Sequence, residues 1–176
     1  MATPELLGLL CAGTMNYHGA LGGHASQLLT KAELAGLLSG LSVEALDLAM
    51  AKYAGCHQSE RRLILKVMSW AVDLAVAEEW EIVRGRPTVC NMATLSVLEV
   101  VRPNRCGTCH GAGYKGARLC MSCNGAGTKA LAGTVIAESC GLMQQDFSRN
   151  WKQRYDRVYR HVAGLDGQVN GVLRRD

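Results

Sequence analysis

Residues 106–127 hold two near-identical octets, Cys106-Gly-Thr-Cys109-His110-Gly111-Ala-Gly113 and Cys120-Met-Ser-Cys123-Asn124-Gly125-Ala-Gly127. Each reads C-x-x-C-x-G-x-G. Two cysteines three apart on a tight turn aim both sulfurs at one point. The turn residues that follow must reach positive φ so that backbone N–H groups face the thiolates, and glycine does this without a Cβ clash. Two such knuckles supply a tetrahedral four-thiolate shell, so Cys106, Cys109, Cys120 and Cys123 are the expected ligands of a single Zn²⁺. Ten residues separate Cys109 from Cys120, fewer than the common ribbon spacing, and Gly116 is expected to turn Tyr114–Leu119 back as a short arm. A closed shell keeps no position for water, which makes the zinc structural rather than catalytic, and its binding contributes about 10–16 kcal/mol to folding near neutral pH. Two other readings of the cysteines stand beside this one. Cys106–His110 also spells the C-x-x-C-H haem attachment signature, which leaves the second octet unexplained, and disulfide pairing requires an oxidising compartment.

Composition points to an interior location. The start Met1-Ala-Thr-Pro-Glu5 has no basic region ahead of its apolar stretch, and no uncharged apolar run reaches membrane-spanning length, so a soluble cytoplasmic protein with reduced thiols and no membrane partner is expected. Cys11, Cys56, Cys90 and Cys140 fall at unrelated spacings and read as buried apolar thiols. Cys56-His57 lacks a partner pair, and His18, His24 and His161 lack ligand spacing. At 176 residues the chain can bury one moderate core or two small ones. Its charge is uneven. Residues 1–101 carry 7 Lys+Arg against 10 Asp+Glu, a net of −3, while residues 102–176 carry 12 against 5, a net of +7. The basic half is the cysteine half, a combination that points to nucleic acid.

The first hundred residues read as helices. After a lead punctuated by Gly13, Gly19, Gly22 and Gly23, Thr30-Lys-Ala-Glu33 forms a capping box for a short helix that Gly40 closes. Ser42 caps the next, with Glu44 and Asp47 in its first turn and Gly55 past its end. A long helix is expected from Gln58 or Ser59, with Ile64, Val67, Met68, Ala71, Leu74 and Ala75 as its buried stripe. Pro87 suits the first turn of another, whose stripe is Val89, Met92, Ala93, Ser96, Val97, Val100 and Val101 before Pro103 stops it. This part is expected to be a helical bundle.

Beyond the second octet, Thr128 is placed to cap a helix from Lys129 to about Ser139. Ala137-x-x-x-Gly141 then sets a small residue and a turn glycine at helix-turn-helix spacing. The inward positions of such a unit fall on Ile136, Cys140, Leu142 and Phe147, while one apolar position holds Asn150 with Trp151 beside it. The second helix should run from about Gln144 to Val162. Its Phe147, Trp151, Tyr155, Val158 and Val162 gather on one side, and Gln145, Arg149, Lys152, Gln153 and Arg160 on the other. Glutamine and arginine at the start of such a helix suit bidentate contacts to adenine and guanine edges in the major groove. Lys152, Arg154, Arg157 and Arg160, further along, suit phosphate. Double-stranded DNA is therefore the expected partner; the alternative is an amphipathic helix with a solvated basic face.

The order of a helical region, a paired C-x-x-C-x-G-x-G motif led by Arg105, a helix, a turn and a Phe147-Ser148-Arg149-Asn150-Trp151-x-x-x-Tyr155-Asp156 helix resembles the lambda-type phage late-gene antitermination protein Q family. The resemblance covers about residues 88–163. It implies a transcription factor that binds a DNA element near the late promoter, loads onto bacterial RNA polymerase paused early in elongation while sigma is present, and promotes terminator read-through. It further implies that the four cysteines hold zinc and that the Gln144–Lys152 stretch reads the element. This chain has a shorter linker between knuckles and a divergent N-terminal region. The full set of expected DNA contacts is Gln144, Gln145, Ser148, Arg149, Lys152, Gln153, Arg157 and Arg160.

The expected class is thus mainly α: a helical region over 1–104 facing polymerase, sigma or a second copy of the chain; a zinc motif over 105–127; a helix-turn-helix-like unit over 128–164; and a tail over 165–176. The octets also resemble the cysteine-rich domain of DnaJ-type chaperones, which has four repeats and two zincs beside a His-Pro-Asp motif that this chain lacks. A zinc-stapled repressor or activator shares the DNA-binding half. No nucleophile with a base at motif spacing, phosphate loop or open metal site points to an enzyme.

Overall fold

The computed structural model describes residues 38–81 and 87–173. The glycine-punctuated lead, the Thr30–Glu33 cap, Cys11, His18 and His24 lie outside them. In chain order the described elements are α1 (Val43–Ala54), α2 (His57–Ala77), α3 (Thr88–Val101), β1 (Asn104–Arg105), β2 (Tyr114–Lys115), β3 (Arg118–Leu119), β4 (Thr128–Lys129), α4 (Gly133–Ser139), α5 (Gln144–Asp146), a π-helical turn (Phe147–Trp151) and α6 (Lys152–Leu173). The protein is mainly helical. Its short strands form two antiparallel pairs, β1 with β4 and β2 with β3. Among the described residues no helix is long and apolar enough to cross a membrane. The chain divides into two compact units, Met1–Lys66 with His161–Asp176, and Val67–Arg160. These borders fall inside α2 and α6.

In the first unit, Ser42 caps α1 as expected, its hydroxyl accepting from the Ala45 N–H at 3.2 Å, and Gly55 closes the helix at φ 63°. Asp47 does not serve the first turn. It lies deeper in α1 and is 3% exposed, so its carboxylate needs partners within the protein. Arg62 supplies two, donating to Oδ1 from Nη2 at 2.7 Å and from Nε at 3.1 Å, and Lys66 approaches Oδ2 at 3.4 Å. The end of α6 is tied to α1 by Lys52 and Asp166 at 2.8 Å and by Tyr53 donating to Asn170 at 3.3 Å. The helix expected to end near Val162 therefore continues to Leu173, with Leu165 and Val169 buried, and most of the supposed tail is helix.

Along α2 the fully buried line is Leu63, Val67, Ala71 and Ala75, with Ser59 below it, while Ile64, Met68 and Leu74 are half-buried. In the second unit every residue of the expected α3 stripe is buried. Glu99 interrupts that stripe. Its carboxylate accepts from the Leu131 N–H at 2.7 Å and from the Tyr155 hydroxyl at 2.7 Å, joining α3, the lead into α4, and α6. Burial and the bond to Glu99 hold the Tyr155 phenol well above its usual range. The first turn of α3 also serves the end of α4: Thr88 donates to the Cys140 carbonyl at 3.2 Å and Asn91 to the Ser139 carbonyl at 2.8 Å, satisfying groups that a helix end leaves without partners.

Thr128 caps no helix; it sits in β4 opposite Arg105, and α4 begins only at Gly133. Gly141, at φ 68°, ends α4 with the Leu142 N–H on the Ala137 carbonyl at 2.8 Å. The helix that starts at Gln144 widens at once, with the Lys152 N–H reaching back to the Phe147 carbonyl. Trp151 is buried and Asn150 exposed, which resolves the irregular apolar position.

Tyr155→Phe leaves one oxygen of the buried Glu99 carboxylate without its donor and should reduce stability by about 1–3 kcal/mol in urea denaturation, with no change in metal content. A change under ~0.5 kcal/mol would mean that this bond contributes little.

Candidate metal centre

The Sγ atoms of Cys106, Cys109, Cys120 and Cys123 all lie within 4.8 Å of one another. Cys106 and Cys120 stand 4.0 Å apart and Cys109 and Cys123 3.7 Å apart. A tetrahedral site with metal–sulfur arms of ~2.3 Å has edges of about 3.8 Å, so the donor set fits one four-coordinate ion, whereas a disulfide needs sulfurs at ~2.05 Å. Three of the four cysteines are buried. Burial raises the Cys106 thiol, but the backbone N–H groups of Cys109 and Thr108 and the Cys109 and Cys123 side chains outweigh it and bring it to about 6. Burial pushes Cys123 up to about 11. A bound cation supplies the counter-charge that four thiolates held together require.

The two octets are related position for position, fourteen residues apart. The Gly113 N–H donates to Cys109 Sγ at 3.2 Å and the Gly127 N–H to Cys123 Sγ at 3.3 Å. The Cys106 N–H donates to the Gly127 carbonyl and the Cys120 N–H to the Gly113 carbonyl, both at 2.8 Å. Each octet thus closes the other. His110 and Asn124 hold equivalent positive φ values of 53° and 49°, and Gly113 and Gly127 follow at 78° and 72°. A Cβ on Gly113 would lie 2.4 Å from the Gly125 carbonyl oxygen, and one on Gly127 2.4 Å from that of Gly111. Glycine is required there by backbone conformation and by space together. Between the octets β2 and β3 form the expected arm, Tyr114 opposite Leu119 and Lys115 opposite Arg118, around Gly116 at φ 60°. The β1–β4 ladder, Asn104 opposite Lys129 and Arg105 opposite Thr128, closes the module's base.

Gln144, Gln145, Ser148, Arg149, Lys152, Gln153, Arg157 and Arg160 are all exposed on α5, the π-helical turn and α6. They are not equivalent. Lys152 pairs with Asp156 at 2.8 Å, and Arg157 pairs with Glu78. Ser148 donates to the Gln144 carbonyl at 2.9 Å. Arg154 is engaged on aromatic faces, its guanidinium 4.6 Å from the Trp151 ring centroid and 5.5 Å from that of Trp80. Arg149 and Gln153 line a cleft of about 530 Å³ with Trp80, Glu81 and Arg154. Glu78, at the end of α2, is no isolated surface charge: it also accepts from the Trp80 indole N–H at 3.0 Å. The sequence reading missed Glu99 as the carboxylate that ties down this helix. Its position seven residues after Met92, on the buried stripe of α3, was the available signal.

Comparison with known proteins finds no family model, no curated protein and no solved structure that significantly matches the chain.

Purified protein should contain one metal ion per chain by elemental analysis. Cys109→Ser and Gly113→Ala should each lose it, the first by opening the shell and the second by driving a Cβ into backbone. Gly107→Ala, where a Cβ meets nothing within 4 Å, should retain it. Equal metal content in Gly113→Ala and Gly107→Ala would contradict the interlocked geometry.

Proposed function

We propose that this chain is a phage transcription antitermination factor of the lambda-type late-gene protein Q kind, working in the cytoplasm of a bacterial host cell. The four-cysteine centre holds one structural zinc, the ion whose chemistry suits a closed four-thiolate shell. The module keeps a fixed base for the segment that follows, and α4 with the helix from Gln144 acts as a helix-turn-helix-like unit on double-stranded DNA. The observation that carries the proposal is the pairing, within one compact unit, of the four-cysteine cluster and an exposed glutamine- and arginine-rich helix start.

The side chains divide by availability. Gln144, Gln145 and Arg149, exposed at the helix start, are the candidates for base edges. Gln153 and Arg160 lie further along, where phosphate and flanking contacts are made. Lys152 and Arg157 give up carboxylate partners before they can meet phosphate, so their contribution is smaller than that of an unengaged cation. Binding the element raises the local concentration of the protein beside a paused polymerase, and protein contacts then transfer it to the elongation complex. The net-negative first hundred residues suit a protein partner, polymerase, sigma or a second copy of the chain, better than they suit phosphate. No catalytic step is part of this function.

Transcription in vitro on a template with a downstream intrinsic terminator, with and without the native upstream promoter region, tests the proposal. Read-through that depends on both the protein and that region is expected; repression or activation at the promoter without read-through would instead identify a zinc-stapled repressor or activator. In binding assays, Arg149→Ala should relax preference at one base position and weaken specific binding by about 1–3 kcal/mol. Lys152→Ala should change affinity for all sequences alike and by less.

A further inference from the structure

We infer that the metal module is a second contact surface for duplex DNA, meeting the phosphate backbone through Lys115 and Arg118 at the tip of its β2–β3 arm. This rests on the reading of the following helix as DNA-binding and extends it to a part of the chain that otherwise serves only as a scaffold.

Charge distribution is the first support. The 38 residues from Val100 to Ala137 contain five Lys+Arg and no Asp or Glu. Pairing is the second. Lys115 and Arg118 stand directly opposite each other across the antiparallel arm, flanking the Gly116-Ala117 turn, and both are exposed. Like charges directly opposite on a ladder are destabilising, so folding of the arm does not account for them. Local rules broken without a structural gain mark functional sites. By contrast the helix spends Lys152 and Arg157 on Asp156 and Glu78, whereas among the described residues no carboxylate pairs with Lys115 or Arg118.

The chemistry of the arm suits phosphate. Of its six residues, Tyr114-Lys-Gly-Ala-Arg-Leu119, the two cations are the only charged groups, and none is an Asn or Gln that would read adenine. Tyr114 and Leu119 form the arm's other cross-strand pair, and Leu119 lies over Gly125, close to the position a Cβ there would take. On the same module Arg105 lines a cleft of about 420 Å³ with Gly111, Gly127 and Thr128. Module and helix as far as Arg160 belong to one compact unit.

The test is the salt dependence of duplex binding by the full chain carrying Lys115→Gln with Arg118→Gln, measured on late-promoter and random-sequence duplexes and on single-stranded RNA, with Arg149→Ala in parallel. Loss of two phosphate contacts should lower the log–log salt slope by about 1.8 on both duplexes. The ratio of specific to random affinity should stay within about twofold, metal content should be unchanged, and the melting temperature should be equal or higher. An unchanged slope on both duplexes, or a loss confined to single-stranded RNA, overturns the inference while the helix reading survives through Arg149→Ala. A lower slope in the arm variant with no effect of Arg149→Ala leaves the module contact standing and removes the helix reading. Wild-type protein that binds no duplex at low salt removes both.

Discussion

Four sulfurs confined within 4.8 Å of one another, in a stretch with little apolar material of its own, require something to hold them together, and a cation is what their chemistry accepts. The segment from Asn104 to Lys129 has strands of two residues each, a length that does not stand alone in water. Its buried residues are Cys106, Cys109 and Cys120, together with the two glycines whose N–H groups face Cys109 and Cys123. Two of the module's hydrogen bonds, Cys106 N–H to the Gly127 carbonyl and Cys120 N–H to the Gly113 carbonyl, run from one octet to the other, so neither half is complete without its counterpart. A duplicated octet is the economical way to build such a site, because one local conformation serves both sides of the ion.

What the module does for the rest of its unit follows from where its ends lie. β1 begins three residues after α3 stops, and β4 ends four residues before α4 starts, so the β1–β4 ladder holds the end of one helix beside the lead into the next. Glu99 reinforces that junction from below by binding the Leu131 N–H and the Tyr155 hydroxyl. Thr88 and Asn91 reinforce it from the other end of α3 by satisfying the last carbonyls of α4. The exposed face from Gln144 to Arg160 is thereby backed by a stripe anchored at Phe147, Trp151, Tyr155 and Val158, with Phe147 and Tyr155 edge-on at 6.3 Å. A surface meant to read a partner gains from being backed in this way, since its side chains then start from a fixed helix.

Much of this was legible because it is local. The ligand spacing, the positive φ at the turn glycines, the arm around Gly116, the Ser42 and Gly55 caps and the whole α3 stripe each depend on residues within one or two turns. What the sequence hid depends on distant partners or on structure too short to leave a pattern. Asp47 and Arg62 are 15 residues apart and Glu99 and Tyr155 are 56, so a buried carboxylate looks from sequence like an exposed one. Thr128 reads as a helix cap by residue type, yet pairing with Arg105 across a two-residue ladder decides its role. The wide turn at Phe147–Trp151 is too short to leave a pattern in the sequence. The continuation of α6 to Leu173 was obscured by Gly164, Gly167 and Gly171, which lower helix propensity but are overridden by the burial of Leu165 and Val169 and the Lys52–Asp166 pair.

The most direct test is amide hydrogen exchange on the metal-loaded protein and on the same protein after chelation. If the metal is the constraint on which the module depends, the N–H groups of Cys106, Gly113, Cys120 and Gly127 exchange slowly with metal bound and near the unprotected rate without it, while the amides of α1 keep their protection. Unchanged protection at those four amides after the metal is gone would contradict the account.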